Sequence, residues 1–286
     1  MFKENDLNAA RKWFAQDIKE VAPVVGNLRI VDAFATVPRE KYLGKGPWGI
    51  HSRLEVGAIH QSATSSPHHL YHDVLVTIDE TSGINNGLPS LWARVFDNLN
   101  IRQGATVLQV GAGVGYYTAI LAELVSEQGR VIAYEIEGVL AEKAKENLRH
   151  YPQVEVVSGD ATKTGHLPDL DVVVACAGAT HVPPLWLDAL SNGGHMMLPF
   201  TGENQWGFLM HLSRDGDKYP VRSLGPCGFY HCAGARLKVE EQALTVALTS
   251  SNERVVDIGL YHVGQPETHA EQVWVKGQTH WISKGG

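Results

Sequence analysis

Cysteine is scarce in this chain: 286 residues contain three, at positions 176, 227 and 232. An odd number with no framework spacing excludes a disulfide scaffold and leads us to expect reduced thiols and a cytoplasmic setting. Of the three, Cys176 sits in an apolar run and reads as core; Cys227 and Cys232 read as packing residues or a weak redox pair. No apolar run approaches the ~18 residues that a membrane helix needs, so no membrane span is expected. The start, Met1-Phe-Lys-Glu-Asn-Asp6, lacks the apolar core of a secretion signal. Clustered positive charge is also missing. The formal net charge is −7 and no Lys/Arg-rich run occurs, so the footprint of a nucleic-acid partner is absent. Internal repeats and low-complexity linkers are not seen. Hydrophobic residues make up 44% of the chain, enough for a packed core. The length suits one large α/β domain with additions, or two small ones.

The most informative feature present is Gln109-Val-Gly-Ala-Gly-Val-Gly115. It follows Ala105-Thr-Val-Leu-Gln109, which reads as a buried strand, and it runs through Tyr116 into Thr118–Val125, which reads as a helix. Glycines in such a turn tolerate left-handed dihedrals and let bare backbone approach a ligand. The N–H groups of the helix start favour an anionic or strongly polar group. A dinucleotide loop reads G-x-G-x-x-G. Here the third glycine comes one residue early, and Tyr116 stands where the dinucleotide glycine would be, which argues against NAD or FAD. The spacing suits S-adenosylmethionine instead.

Arg130-Val-Ile-Ala-Tyr-Glu135 reads as a second strand ending in an acid, at roughly the 20-residue spacing at which a carboxylate accepts from ribose hydroxyls. After a helix over 138–149 comes a third strand, Val154 to Ser158, ending in Gly159-Asp160-Ala161, where a carboxylate could take the adenine amino hydrogen. Leu170 to Cys176 is a nearly all-apolar fourth strand, as expected of a parallel strand covered on both faces. The pattern is α/β: a Rossmann-like, doubly wound, mostly parallel sheet, with ligands at the carboxyl ends of the strands. Candidate cofactor residues are Gly111, Ala112, Gly113, Gly115, Tyr116, Glu135, Ile136, Asp160, Ala161 and Ala177.

Asp6 reads as the N-cap of a first helix showing Trp13, Phe14, Ile18 and Val21 on one face. Pro89 suits the first turn of another. Gly207–Ser213 reads as an antiparallel strand at the far edge of the sheet, followed by a turn at Asp215-Gly-Asp217. Ala243–Leu248 and Val255–His262 read as two strands joined by Thr249–Glu253, with a third at Gln272–Val275. The expected organisation is a helical cap and active-site loops over 1–80, a cofactor-binding core over 81–236 and a β-rich extension over 237–286.

Several segments together resemble the protein-L-isoaspartate O-methyltransferase family. Val37-Pro-Arg-Glu-Lys-Tyr-Leu43 is similar to its V-P-R-E-x-F block, and Tyr71-His-Asp73 to its A-Y-x-D segment. Pro89-Ser-Leu-Trp-Ala93 is similar to the helix after the substrate loop. Ala177-Gly-Ala-Thr-His-Val-Pro-Pro184 and Leu190–Pro199 are similar to A-A-x-x-x-x-P-P and L-K-P-G-G-R-L-V-x-P. The likeness covers roughly residues 7–236 and implies an S-adenosylmethionine-dependent enzyme that methylates a carboxylate of a peptide or protein. The chain departs from the family at the substrate loop. Where the family carries G-Q-T-I-S-x-P, which holds the isoaspartyl carboxylate, this chain has Gly83-Ile-Asn-Asn-Gly-Leu-Pro89, with Asn85 at the threonine position and Gly87 at the serine position.

A carboxylate acceptor has a pKa of about 4 and needs no general base, whereas a hydroxyl or amine usually benefits from one. Asn85 and Asn86, with Thr81, Ser82 and loop amides, are candidates for orienting an acceptor carboxylate; the same run reads equally as a turn. Fourteen histidines include His51, His60, His68, His69 and His72. His68 and His72 lack a completed metal-ligand spacing, so no metal is expected. They read as loop or as a base. His181 reads as a surface loop residue or a second base. Three readings stay open: carboxyl methylation of a peptide, either isoaspartyl or dedicated; methylation of a small molecule with a His base; and a non-catalytic S-adenosylmethionine-binding protein. The oligomeric state is not legible.

Overall fold

The computed structural model describes residues 4–22, 25–52, 54–55, 57–250, 258–266 and 272–285. In chain order the elements begin with helices α1 (Glu4–Val21) and α2 (Leu28–Thr36), then short strands β1 (Gly49–His51), β2 (Ile59–Gln61), β3 (Thr77–Asp79) and β4 (Ile84–Asn85). Next come α3 (Pro89–Asn98), β5 (Thr106–Val110), α4 (Tyr116–Val125), β6 (Arg130–Glu135), α5 (Gly138–Leu148), β7 (Val154–Ser158) and β8 (Leu170–Ala175). The chain continues with α6 (Pro184–Ala189), β9 (Leu190–Thr201), β10 (Trp206–Ser213), β11 (Tyr219–Gly228), α7 (Lys238–Ser250), β12 (Ile258–Val263), β13 (Val273–Lys276) and β14 (His280–Lys284).

Two compact units form: residues 1–104, 112–131 and 137–156 make the first, and residues 105–111, 132–136 and 157–286 the second. The first holds α1 to α5 and the two small hairpins β1–β2 and β3–β4. In α1, Phe14, Ala15 and Ile18 are buried, at the spacing that puts i and i+4 on one face. Trp13 and Val21, expected on that face, are exposed. Asp6 lies inside α1 and does not cap it, because the helix already includes Glu4. Asn27 caps α2 by accepting from the Arg29 amide at 3.1 Å. That helix stops at Val37, held extended by the following proline. Pro89 occupies the first turn of α3. The Asp73 carboxylate, 3% exposed, accepts from both the Ser90 amide at 2.8 Å and the Ser90 hydroxyl at 2.7 Å. A residue distant in sequence thus satisfies the start of α3, where Leu88 offers no side-chain cap. Arg39 is fully buried; its guanidinium donates to the carbonyls of Leu70, His72 and Val74 and fixes the V-P-R-E block against that segment.

The second unit contains most of a ten-stranded sheet of order β13-β14-β12-β11-β10-β9-β8-β5-β6-β7. β5, β8 and β9 run parallel. From β9 outward through β10, β11, β12, β14 and β13 every pair is antiparallel. The sheet is therefore mixed: the parallel strands expected of a doubly wound α/β core continue, after β9, into antiparallel strands that include the expected β-rich extension. β10 is antiparallel as expected but interior, with four strands beyond it. The Asp215–Lys218 bridge closes the turn after it. A single apolar core of this unit includes Leu108, Val173, Trp186, Met196, Phe208, Leu244, Tyr261 and Ile282.

The expected strand at 243–248 is a helix, part of α7. Its short apolar run, with the strand-favouring Thr245 and Val246 at its centre, misled. Leu244 and Ala247, three apart, face inward while Val246 is exposed, and the Thr245 and Thr249 hydroxyls donate to the carbonyls four residues back. The next expected strand is β12 and the third is β13, extended by β14. Thr249 and Ser250 of the expected join belong to α7, while positions 251–257, which hold the rest of it and the first part of that strand, lie outside the described residues.

Candidate donor and acceptor sites

The glycine turn forms as its sequence requires. Gly111, at the end of β5, has φ +88; a Cβ there would lie 3.3 Å from the Cys176 Cβ. Its amide donates to the Tyr134 carbonyl at 2.8 Å, and the Cys176 amide donates to the Val110 carbonyl at 2.8 Å. Gly115 is the N-cap of α4 with φ +91, and a Cβ would sit 2.8 Å from Leu148 of α5. This glycine thus serves helix packing as well as backbone freedom. Ala112 is buried, and its carbonyl accepts from the Gly115 amide. The Tyr116 ring turns inward, packed edge-on to Phe34, Tyr42 and Tyr117. Burial pushes its phenol well above the ordinary range. Only its backbone, at the start of the helix, remains for a ligand.

In the second unit, candidate residues stand at the carboxyl ends of successive strands. Glu135 closes β6 and is 6% exposed; its carbonyl accepts from the Gly159 amide at 2.8 Å. Ile136, just after it, is half exposed. Asp160 follows β7. Its Oδ1 accepts from the Thr162 amide at 2.9 Å and hydroxyl at 2.7 Å, and its Oδ2 pairs with Lys163 Nζ at 3.0 Å. Burial alone pushes this carboxyl up, but the Thr162 bonds and Lys163 outweigh it and hold the group below its usual range. Ala161 is buried, and its carbonyl accepts from Trp186 Nε1. Beyond β8, Cys176 receives a hydrogen bond from Gln109 Nε2 at 3.8 Å. Burial pushes the thiol up to about 12, so it stays protonated. Ala177 follows it, half buried. All three cysteines are free.

Two features escaped the sequence reading. Gln109 is 1% exposed, and its Oε1 has no hydrogen-bond partner among the described residues. Segment 229–237 folds back alongside Gly178. A Cβ on its Gly234 would meet both Asp160 carboxylate oxygens at 2.6 and 2.7 Å. No periodicity marks that segment, so only a single glycine hinted at close approach. The residues present fit a nucleoside-bearing cofactor: a cradle that a Cβ would fill and two carboxylates at neighbouring strand ends.

The acceptor candidates belong to the first unit. Thr81 and Ser82 lie in the β3–β4 connection, where the Asp79 carboxylate takes the Thr81 amide at 2.9 Å, the Ser82 amide at 3.3 Å and the Ser82 hydroxyl at 3.1 Å. Those bonds, the Ser82 amide first, hold the Asp79 carboxyl below its ordinary range. Asn85 Oδ1 accepts from the Gly87 amide at 2.9 Å, a local turn. Asn86 differs. It is 6% exposed, its amide N–H bonds the Val76 carbonyl, and its side-chain Nδ2 has no partner among the described residues. Gly87 has φ +65, and a Cβ there would lie 2.4 Å from Trp92 Nε1, so indole fills the space a serine would need. Its carbonyl accepts from the Tyr117 hydroxyl at 3.1 Å.

The histidine-rich stretch is occupied locally: His51 with Thr77, His68 with Ser66, and His69 with Thr64, all at 3.1–3.2 Å. His181, expected at the surface, is only 9% exposed. Burial lowers its pKa, with Glu240 acting in the opposite sense.

Comparison with known proteins supplies the remaining context. Residues 17–232 match the family model "Protein-L-isoaspartate(D-aspartate) O-methyltransferase". A protein-L-isoaspartate O-methyltransferase of Methanopyrus kandleri is 32% identical over 231 residues, covering 79% of this chain and 92% of that protein. One from Ignicoccus hospitalis is 33% identical over 166 residues, covering 57% and 77%. A solved protein-L-isoaspartate O-methyltransferase superposes with TM-score 0.66 at 18% identity, covering 96% of this chain and 88% of that one. A Plasmodium falciparum structure, described as a protein-L-isoaspartate O-methyltransferase in complex with S-adenosyl-L-homocysteine, gives TM-score 0.62 at 18% identity over 78% of this chain and 97% of that one. The extended match, the shared fold and the glycine turn with its two acids agree: this chain belongs to the protein-L-isoaspartate(D-aspartate) O-methyltransferase family, whose enzymes use S-adenosylmethionine.

Proposed function

We propose that this protein transfers a methyl group from S-adenosylmethionine to a carboxylate of a peptide or protein, either isoaspartyl or a dedicated substrate, in the cytoplasm. The cofactor supplies an activated methyl group on a sulfonium. Gly111, Ala112, Gly113, Gly115 and the Tyr116 backbone form the turn that receives its amino-acid portion. Glu135 accepts from the ribose hydroxyls, Ile136 packs beside it, and Asp160 with Ala161 receives the adenine. Ala177 lines the same strand ends. Free cysteines support the cytoplasmic setting, and no helix among the described residues is long and apolar enough to cross a membrane.

Asn86 is the main acceptor-orienting residue, with its Nδ2 donating to the carboxylate. Asn85 shapes the turn that presents it, and Thr81 and Ser82 hold the loop through Asp79. With the cofactor bound, its sulfonium would supply the methyl group and leave as a neutral thioether, and an ionised acceptor carboxylate held by Asn86 would have no proton to lose. Chain groups therefore have to align the partners and exclude water, and none has to act as a base.

The observation that supports the carboxylate reading is the buried Asn86 side-chain Nδ2, which has no partner among the described residues, since a buried donor left unpaired costs about 1–3 kcal/mol unless something accepts from it. The test is incubation with labelled S-adenosylmethionine and either an isoaspartyl peptide or mixed host-cell peptides. Label released by mild alkali supports a carboxyl ester, and its location separates repair from a dedicated substrate. An alkali-stable product contradicts the reading. Asn86→Ala is expected to lower turnover about tenfold or more, with donor affinity kept.

A further inference from the structure

Segment 237–286 stands outside the family match and has no role in the reading above. It reaches the run Gly178–Val182, just after β8, through the Leu237 amide, which donates to the Thr180 hydroxyl at 3.0 Å, and through Tyr261. There the backbone amides are taken up in turn. Gly178 donates to the Tyr230 carbonyl at 2.6 Å, Ala179 to Pro199 at 2.8 Å and Thr180 to Ala235 at 3.0 Å. Val182 donates to the hydroxyl of Tyr261, in β12, at 3.1 Å. The Tyr261 ring lies flat on His280 of β14, with centroids 4.9 Å apart and planes 12° apart. His280 Nδ1 is 3.4 Å from Glu240 Oε2 in the first turn of α7. The other oxygen of Glu240 accepts from the Gln278 amide, the Thr279 amide and the Thr279 hydroxyl, at 2.9, 2.7 and 2.9 Å. Glu240, His280 and Tyr261 are thus packed together, with no hydrogen bond between Glu240 and His280, and the Tyr261 hydroxyl accepts from Val182.

A second route starts one residue along α7. Glu241 pairs with Arg236. The Arg236 fork donates to the carbonyls of Gly178 at 3.0 Å, Thr201 at 3.2 Å and Gly202 at 2.9 Å. The strip that carries Arg236 also carries Gly234, which abuts the Asp160 carboxylate. Cys232 of that strip donates to the Gly178 carbonyl at 2.9 Å. A shift in either route therefore moves the wall beside Asp160 and the chain following Ala177.

We propose that the carboxyl-terminal segment is a clamp on residues 178–182, and that Tyr261 and Arg236 are positioning residues for the S-adenosylmethionine site. This rests on the donor site proposed above. A buried pair or a stacked ring could merely stabilise the fold, so the test separates stability from donor affinity. Tyr261→Phe keeps the stacked ring and removes only the oxygen that accepts from Val182. Arg236→Lys keeps a charge for Glu241 and loses the fork. Val275→Ala, in the same core, leaves every hydrogen-bonding group of both routes in place and is the stability control. Each is measured for thermal unfolding, for S-adenosylmethionine affinity by calorimetry and for amide exchange at Val182.

The expected result is a donor dissociation constant raised about fivefold to tenfold in both positioning variants, with faster exchange at Val182 in Tyr261→Phe. Val275→Ala should melt lower yet bind the donor as the parent does. Unchanged donor affinity in Tyr261→Phe and Arg236→Lys overturns the clamp. A parent chain that binds the donor but methylates no carboxylate would remove the acceptor reading and leave the clamp standing, because the affinity readout needs no acceptor.

Discussion

Replacing Gly87 with serine would restore the hydroxyl of the family's substrate loop, yet it is expected to damage this protein. Gly87 has φ +65, a conformation that costs a residue with a Cβ about 1–2 kcal/mol. The added Cβ would lie 2.4 Å from Trp92 Nε1, 3.0 Å from its Cδ1 and 3.4 Å from Tyr117 Cε2. Trp92 is 3% exposed and packed on Phe96 and Tyr117 at centroid distances of 5.9 and 5.4 Å, so it has little room to give way. Overpacking of this kind costs about 1–3 kcal/mol. The sum, about 2–5 kcal/mol, corresponds to a fall on the order of 10 °C in Tm for a chain of this size. Circular dichroism melts give the stability, and methyl transfer well below both transitions gives the activity. Gly87→Ser melting with the parent and gaining isoaspartyl activity would refute the argument that Trp92 has taken the serine's space.

Asp73→Ala should lose about 2–3 kcal/mol, because both Ser90 donors at the start of α3 lose their acceptor; a lower urea midpoint at unchanged m-value would show it. Acid should destabilise the second unit through His211, whose pKa burial lowers to about 3, helped by Arg222 and then His195. The folded value lies below the unfolded one, so this contribution is complete above about pH 6.5 and is lost as pH falls toward 3. His211→Gln still offers Arg222 Nε an acceptor but does not titrate, so its Tm should fall less between pH 6.5 and 4; parallel curves for the two proteins would refute the assignment.

The placement of the proposed donor residues was legible because it is local. The glycines, Glu135 and Asp160 each close or follow a strand, and strand ends are readable from a few neighbouring residues. The conformation of the loop proposed to hold the acceptor was half legible. Asn85 makes the turn that Asn and Gly favour, but the burial of Asn86 and the indole against Gly87 depend on Trp92 and Val76, contacts that spacing does not encode. α7 was misread because Thr245 and Val246 favour strands in isolation, whereas the core accepts Leu244 and Ala247 at helical spacing. His181 was taken for a surface residue because its partners, on α7 and β14, are distant in sequence. The doubly wound α/β core was read as it stands, but nothing local announces that the strands of the extension join the same sheet beyond β11.

The most direct test of the donor site is calorimetric titration of S-adenosylmethionine into the parent chain and into Glu135→Ala. Loss of hydrogen bonds to a carboxylate, at about 1.5–3 kcal/mol each, predicts saturable binding in the parent and a dissociation constant roughly tenfold to a hundredfold higher in the variant. No binding of S-adenosylmethionine by the parent, or equal binding by the two proteins, would contradict the placement of its ribose on Glu135.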